Sequence, residues 1–165
     1  MFNQKIIKLD SWFIEKKKLA KLYFDNRRRS KLICKMGDIY FTKIGVNIGS
    51  EIDKHRPVLV FQGNDFYLRN SDSVFIFPLT SKTKQRKFQV IFQKEDVVGN
   101  LKDGCILISQ GKVISKIRLV KKLGKLNHNK LKEVKNVFEK FLYKNTPLQS
   151  ERSQGDAQTI LKKNP

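Results

Sequence analysis

The middle of the chain is a series of short apolar runs, each closed by a turn signal. The turn signals are "IGVNIGS", "QGND", "RNSDS", "VVGN" and "KDG". Runs this short and this evenly spaced predict β-strands in a small barrel or sandwich, and they argue against βαβ units. The five clearest runs are "GDIYFTK" (37–43), "RPVLVFQ" (56–62), "SVFIFPLT" (73–80), "KFQVIFQ" (87–93) and "CILIS" (105–109).

Helical patterns flank this β-region on both sides. In the basic segment 1–35, "WFIEKKKLAKLYF" has the spacing of an amphipathic helix, and "NRRRSK" follows as a solvated basic break. This segment could contact nucleic acid or pack on the domain with its lysines in water, and the two roles are compatible. Near the C-terminus, Asn127 is a plausible N-cap. Apolar residues then recur at helical spacing at Leu131, Val134, Val137, Phe138, Phe141 and Leu142.

The chain therefore divides into a basic extension (1–35), a β-domain with its C-terminal helix (36–143) and a tail (144–165). The tail loses all periodicity, and we expect it to be disordered.

The charge of the chain constrains its partners more than its fold. The 35 Lys and Arg residues against 15 Asp and Glu give a net charge of +20, which favours polyanions such as RNA, DNA or an anionic membrane. The sequence contains no apolar run of about 18 residues that would predict a membrane span. It also lacks the apolar core of a signal peptide at its N-terminus, so we expect a cytoplasmic protein without a membrane partner.

Neither a metal site nor a cofactor is expected from the residue pattern. Cys34 and Cys105 are far apart and outside any CxxC motif, so we interpret both as reduced thiols. His55 and His128 are isolated from other ligand types. No nucleophilic triad and no glycine-rich phosphate loop can be recognised either.

Cations and hydroxyls at the ends of the expected strands remain as candidates for chemistry. Arg56 precedes Pro57, which favours an extended backbone and a stiff base for a guanidinium that binds phosphate oxygens in a fork. Thr80 closes "FPLTSK", and we expect the residues after it to contact RNA, namely Ser81, Lys82 and Lys84. The alternatives are a solvated strand end for Arg56 and an ordinary β-branched strand residue for Thr80.

His55 is the obvious candidate for a general base, since imidazole serves in that role most often. Neighbouring residues on a strand point to opposite faces, however. If Arg56 faces the substrate, we expect His55 to face away and to be a surface or partner-contacting residue.

Four motifs in one order resemble the MazF/PemK family of toxin endoribonucleases. They are "MGDIYFTKIGVNIGSE", "RPVLVFQ", "FPLTSK", and "ILISQ" with "IRLVKKLGKL", and the resemblance spans about residues 36–142. The "W…KKKL" segment is similar to a subgroup of the family with an N-terminal extension.

The resemblance implies an SH3-like barrel with a C-terminal helix, forming a homodimer that a cognate acidic antitoxin blocks. It also implies metal-independent cleavage of single-stranded RNA, such as mRNA, to 2′,3′-cyclic phosphate and 5′-hydroxyl ends. By motif, Arg56 and Thr80 match the catalytic residues. By analogy, Gly49, Ser50 and Glu51 lie in a mobile loop beside the RNA groove, and Gln110 lies in a strand that lines it.

One departure from the family pattern follows Gln110, where Gly111-Lys112 stands in place of Ile-Arg. Lys112 can supply the charge of that arginine toward RNA but not its forked geometry. A non-catalytic nucleic-acid-binding module on the same small barrel is the alternative function. A CcdB-type topoisomerase poison is disfavoured, because that activity depends on a Trp near the C-terminus and the only Trp here is Trp12.

Overall fold

The computed structural model describes residues 2–25, 32–63, 70–84 and 86–143. The "NRRRSK" segment and the tail 144–165, for which solvation and disorder are predicted, lie outside the described residues. Within the described part of the chain, two α-helices flank eight strands: α1 (Phe2–Asp25), β1 (Asp38–Gly45), β2 (Lys54–Val60), β3 (Ser73–Thr80), β4 (Gln89–Phe92), β5 (Val97–Gly99), β6 (Gly104–Leu107), β7 (Lys112–Ser115), β8 (Leu119–Leu126) and α2 (His128–Tyr143).

The strands form one antiparallel sheet in the order β4-β6-β3-β2-β1-β8-β5, and β7 pairs with β3. The predicted mainly-β fold with a C-terminal helix and an N-terminal helix is confirmed, as a half-barrel. The prediction of "VVGN" as a turn is wrong, because Val97–Gly99 pairs with β8. "CILIS" is a strand only as far as Leu107, and Ile108–Gln110 turns into a 3₁₀ helix.

The two faces of the sheet bury two separate apolar clusters, as alternation along β2 illustrates. Leu59 and Phe61 point into a cluster with α2, whereas Val58 and Val60 point into a cluster on the opposite face. Because each strand presents alternate residues to opposite faces, this pattern fixes the register of β2 within the sheet.

Helix α2 covers the first of these faces. Its N-cap is Asn127 as predicted, since the Asn127 side-chain oxygen accepts the N–H of Lys130 at 2.8 Å. Val134 is fully buried, and the Phe138 ring lies 5.2 Å from that of Phe77, centroid to centroid. Phe141, also expected on the apolar face, is 39% exposed, and its ring lies against that of Phe88.

Helix α1 is longer than the amphipathic pattern predicts, and it packs beside the end of β1. Trp12 and Leu19 are its buried side chains. Trp12 lies over Gly45, whose φ of +103° no other residue adopts easily, and any Cβ added at Gly45 would overlap the indole ring. The guanidinium of Arg118 also lies over the Trp12 ring, 5.6 Å from its centroid. The helix thus packs on the domain, which is one of the two roles expected for the segment 1–35.

Candidate active site

A cleft of about 450 Å³ opens where β2 begins and β3 ends. Both candidate catalytic residues, Arg56 and Thr80, line it. Its walls consist of Lys54, His55, Arg56, Pro57, Leu79, Thr80, Ser81, Phe92, Asn100, Leu101, Lys102 and Asp103. The fold thus joins two residues that lie 24 positions apart in the sequence.

The strand register explains why these two residues meet. The antiparallel pairs Leu59 with Phe77 and Val58 with Pro78 are the last rungs between β2 and β3 at this end. Continuing the same register by two residues places Arg56 opposite Thr80, on the same face of the sheet. The rungs stop short of this pair, so the cleft opens between the two side chains.

The guanidinium of Arg56 is held by the loop that precedes its strand. Arg56 Nε donates a hydrogen bond to the carbonyl oxygen of Asp53 at 2.6 Å, and the side chain is half-buried. This contact uses one of the five guanidinium N–H groups and leaves the forked end available. Lys54, two positions before Arg56, adopts a left-handed φ of +75° where the β1–β2 register shifts at Gly45. A non-glycine residue in this conformation beside a cleft is typical of a functional site.

Asp53 is in turn fixed from two sides. Its carboxylate accepts the Asn47 N–H at 2.5 Å and pairs with Lys5 of α1 at 2.6 Å. Burial by itself would raise the pKa of Asp53. The hydrogen bonds from Lys5 and Asn47 and the charges of Lys5 and Arg56 outweigh burial, so the pKa lies below its ordinary value. Asp53 is therefore a stable anion three residues before the catalytic candidate Arg56.

Thr80 presents its hydroxyl at the last position of β3. The side chain is half-buried, and its oxygen accepts the N–H of Lys82 at 3.3 Å. The hydroxyl proton remains free to donate to a substrate oxygen. Ser81 lines the cleft as well, and the exposed Lys82 and Lys84 follow it in the sequence, beyond the end of β3.

The cleft is electropositive. Lys54, Arg56 and Lys102 line it against a single carboxylate, Asp103. Lys102 and the amide of Asn100 were missed by the sequence analysis, because "NLKDG" looks like an ordinary turn and only the strand pairing brings it beside β2. The only signal for this wall of the cleft in the sequence was a lysine and an asparagine in a turn that follows two β-branched residues.

The loop residues Gly49, Ser50 and Glu51 are exposed, and none of them lines the cleft formed by the described residues, nor does Gln110. Gln110 accepts the N–H of Ile52 at 3.2 Å through its side-chain oxygen and donates to the Ser50 carbonyl at 3.5 Å. Expecting Gln110 on a strand was wrong, since it ends the 3₁₀ turn Ile108–Gln110. Its role in the structure is to brace the loop.

Gly111, at the departure from the family pattern, lies against aromatic rings. A Cβ at this position would lie 2.7 Å from the Phe77 ring and 2.8 Å from the Phe75 ring. A larger residue would therefore need the chain to move there. Lys112 begins β7 opposite Ile76 and is absent from the lining of the cleft that the described residues form.

His55 faces away from Arg56 along the strand, and its ring meets the edge of Phe41 at a centroid distance of 6.1 Å. It nevertheless contributes to the lining of the cleft, because the cleft lies at the open end of the strand. His55 must therefore be tested together with Arg56 and Thr80.

The remaining reactive side chains are poorly suited to catalysis. Cys34 and Cys105 are buried and reduced, and burial raises the pKa of both thiols, which makes each a weaker nucleophile at neutral pH. Within the described ranges, no three His, Cys, Asp or Glu side chains gather in a way that could hold a metal ion. Neither of the two described helices is long and apolar enough to span a membrane.

The fold of this chain is shared with known structures. Solved structures of MazF (Form-I) and of MazE–MazF (Form-II) from Deinococcus radiodurans share it, with TM-scores of 0.58 and 0.53. The sequence identities are 21% and 20%. Each alignment covers 67% of this chain, together with 96% and 95% of the respective solved chains. At these identities the likeness concerns the fold alone.

Sequence comparison identifies the family of the chain. Residues 35–142 match the family described as PemK-like, MazF-like toxin of type II toxin–antitoxin system. The Endoribonuclease MazF of Staphylococcus saprophyticus is 33% identical over 104 residues, which is 62% of this chain and 86% of that protein. The Endoribonuclease EndoA of Bacillus subtilis is 30% identical over 109 residues, which is 66% of this chain and 93% of that protein. The chain belongs to this toxin family, and α1 precedes the matched region.

Proposed function

We propose that this toxin cleaves single-stranded RNA by attack of the substrate's own 2′-hydroxyl, without a metal ion. The coarser part, an endoribonuclease of the MazF-like type, follows from family membership and from relatives named as endoribonucleases. The finer part is supported by one observation: Arg56 and Thr80 line the same electropositive cleft.

The reaction requires little covalent chemistry from the protein. The 2′-oxygen forms a bond to phosphorus while the bond from phosphorus to the 5′-oxygen breaks, which yields a 2′,3′-cyclic phosphate and a 5′-hydroxyl. The 2′-hydroxyl proton passes to solvent, and the leaving 5′-oxygen takes up a proton, for which Arg56 is the candidate donor. Because DNA lacks the 2′-hydroxyl, it would not be cleaved.

Arg56 and Thr80 have complementary tasks in this mechanism. The forked end of Arg56 binds the non-bridging oxygens, where negative charge builds up in the transition state. The hydroxyl of Thr80 donates to the same phosphate from the facing strand and keeps it in line with the 2′-oxygen. Two donors fixed on neighbouring strands are preorganised for this geometry, which is the main requirement for electrostatic catalysis.

The wider cationic surface would bind the phosphates on either side of the scissile bond. Lys54 and Lys102 lie inside the cleft, and the exposed Lys82 and Lys84 extend the charge along its rim. The loop Gly49–Ser50–Glu51 and Lys112 remain candidates for RNA contact outside the cleft. The names of the relatives reported above give no support to DNA binding.

An antitoxin is the expected protein partner. The solved MazE–MazF complex shares the fold of this chain, and a net charge of +20 favours an acidic polypeptide that competes with RNA. A homodimer, which the family resemblance implies, is included in the proposal and can be tested by light scattering.

The decisive experiment incubates the purified protein with a long single-stranded RNA in excess EDTA. We expect cleavage with 5′-hydroxyl ends, which polynucleotide kinase labels without prior phosphatase treatment, and a loss of about 10²-fold or more in Arg56→Ala and in Thr80→Ala. The His55→Gln variant should keep most of the activity. A large loss in His55→Gln with activity retained in Arg56→Ala would overturn the assignment of roles.

The same assay separates the alternative function. A non-catalytic binding module would retain RNA in a mobility-shift assay but leave it intact over the same incubation. Its affinity would fall steeply with salt and show no dependence on RNA sequence, because phosphate contacts alone carry no sequence information.

A further inference from the structure

The N-terminal helix reaches the catalytic candidate through one ion pair. Lys5, in the second turn of α1, pairs with the carboxylate of Asp53 at 2.6 Å. The backbone carbonyl of the same Asp53 accepts the N–H of Arg56 Nε, also at 2.6 Å. Lys5 lies outside the region that matches the family. It is nevertheless connected, through the single residue Asp53, to the side chain proposed to bind phosphate.

The carboxylate of Asp53 is a potential competitor for that phosphate. It lies near enough to Arg56 for the two charges to interact. The forked end of a guanidinium binds carboxylate and phosphate with the same geometry. Without Lys5, the carboxylate would keep only the Asn47 N–H on its Oδ1, and its free Oδ2 would compete for the fork that the substrate needs. A carboxylate whose Oδ2 is paired with an ammonium would not.

We propose that Lys5 is a positioning residue of the active site: its ion pair with Asp53 holds the loop before β2 and leaves the guanidinium fork of Arg56 free for the substrate phosphate. This inference rests on the proposed RNA cleavage. It gives the N-terminal extension a specific role in that reaction, in addition to packing on the domain.

Other contacts keep α1 docked when this ion pair is removed. Trp12 is buried against Gly45, Glu15 pairs with Lys43, and the Tyr23 hydroxyl donates to Asp72 at 2.8 Å. The side chains of Lys5 and Asp53 are 37% and 28% exposed, so their pairing adds little to stability. Replacing Lys5 should thus change catalysis with little effect on the fold.

The test is a mutant cycle on steady-state RNA cleavage in EDTA. Lys5→Met should lower kcat by about 10-fold with a smaller change in KM, because a poorly placed catalytic group acts on the transition state. Lys5→Arg should restore cleavage to within about threefold of wild type. The matched control is Lys8→Met, an exposed lysine on the same helix, which should change neither constant.

The Asp53→Asn variant distinguishes the proposed role of Lys5 from a merely structural one. It removes the negative charge and keeps the backbone carbonyl that binds Arg56. The double variant Lys5→Met/Asp53→Asn should therefore cleave as fast as Asp53→Asn alone. Both should cleave several-fold faster than Lys5→Met.

The outcomes distinguish this inference from the proposed function. Equal kcat in the wild type and Lys5→Met would overturn the role of Lys5 and leave RNA cleavage standing. A loss in Lys5→Met that Asp53→Asn does not relieve would equally overturn the competition argument. Absence of cleavage by the wild type would overturn both proposals together.

Discussion

Replacing Thr80 by Val distinguishes an effect on catalysis from an effect on stability better than truncation to Ala does. The substitution keeps the β-branched shape that suits the last position of β3 and removes only the hydroxyl. If that hydroxyl donates to the phosphate in the transition state, its loss should lower kcat by about 10²–10³-fold, which corresponds to about 2.7–4 kcal/mol.

In the fold, the substitution removes the hydrogen bond that the Thr80 hydroxyl accepts. Thr80 Oγ1 accepts the N–H of Lys82 at 3.3 Å, which is a long hydrogen bond in an exposed turn. Water can replace the lost acceptor there, so we expect the free energy of unfolding to fall by no more than about 0.5–1 kcal/mol. The effect on catalysis should exceed the effect on stability by several-fold in free energy.

The assay measures single-turnover cleavage of a short RNA and urea unfolding of the same preparations. Thr80→Ser is the matched control, because it retains the hydroxyl, and it should keep cleavage within about tenfold of wild type. Cleavage by Thr80→Val within about threefold of wild type would refute the role of the hydroxyl. A larger loss in Thr80→Ser than in Thr80→Val would point to the shape of the side chain instead.

Three further predictions concern the fold and its protonation. Gly45→Ala should lower the free energy of unfolding by about 1–3 kcal/mol and shift the emission of Trp12, the only tryptophan, because φ is +103° and the new Cβ overlaps the indole; unchanged emission would contradict this packing. The pKa of Asp53 is lowered by folding, so its ionised form stabilises the protein above the ordinary value of 3.8, and this contribution disappears as the pH falls through the lowered pKa. The difference in urea midpoint between wild type and Asp53→Asn should therefore shrink on acidification, and a constant difference would refute the linkage. Cys34 and Cys105 are buried with raised pKa values, so thiol reagents should label them slowly in the native protein and rapidly in urea, and fast native labelling would show that they are accessible.

Strand alternation and turn residues were sufficient to predict the central strands and the mainly-β class. They did not predict β5, β7 or β8, for a physical reason. β8 (Leu119–Leu126) carries lysines at positions 121, 122 and 125 and pairs with β1 on one side and β5 on the other, so its backbone ladder rather than an apolar pattern holds it in place. β5 is only three residues long and begins after a turn, which leaves no periodicity to detect.

The candidate site could be predicted only in part. Arg56 and Thr80 stood out by residue type and by their places at strand ends, whereas Lys102 and Asn100 enter the cleft through sheet topology. The contact of Lys5 with Asp53 joins residues 48 positions apart and depends on how α1 docks beside β1. Helical spacing predicts the apolar side of such a helix, but no local pattern shows which loop its charged end will meet.

The proline beside Arg56 gives a physical reason for the position of the cleft. Pro57 follows Arg56, and Pro78 precedes Thr80 by two positions, so each strand loses a backbone donor close to its end. The β2–β3 ladder has its final rung at Val58 and Pro78, and the end of β3 pairs on its other side with β6 through Leu79 and Thr80. Residue 57 cannot donate toward β3, so the two strands separate there, and the gap is the cleft that Arg56 and Thr80 line. The proline that makes "RPVLV" recognisable therefore also favours the opening in which a phosphate could lie between the arginine and the threonine.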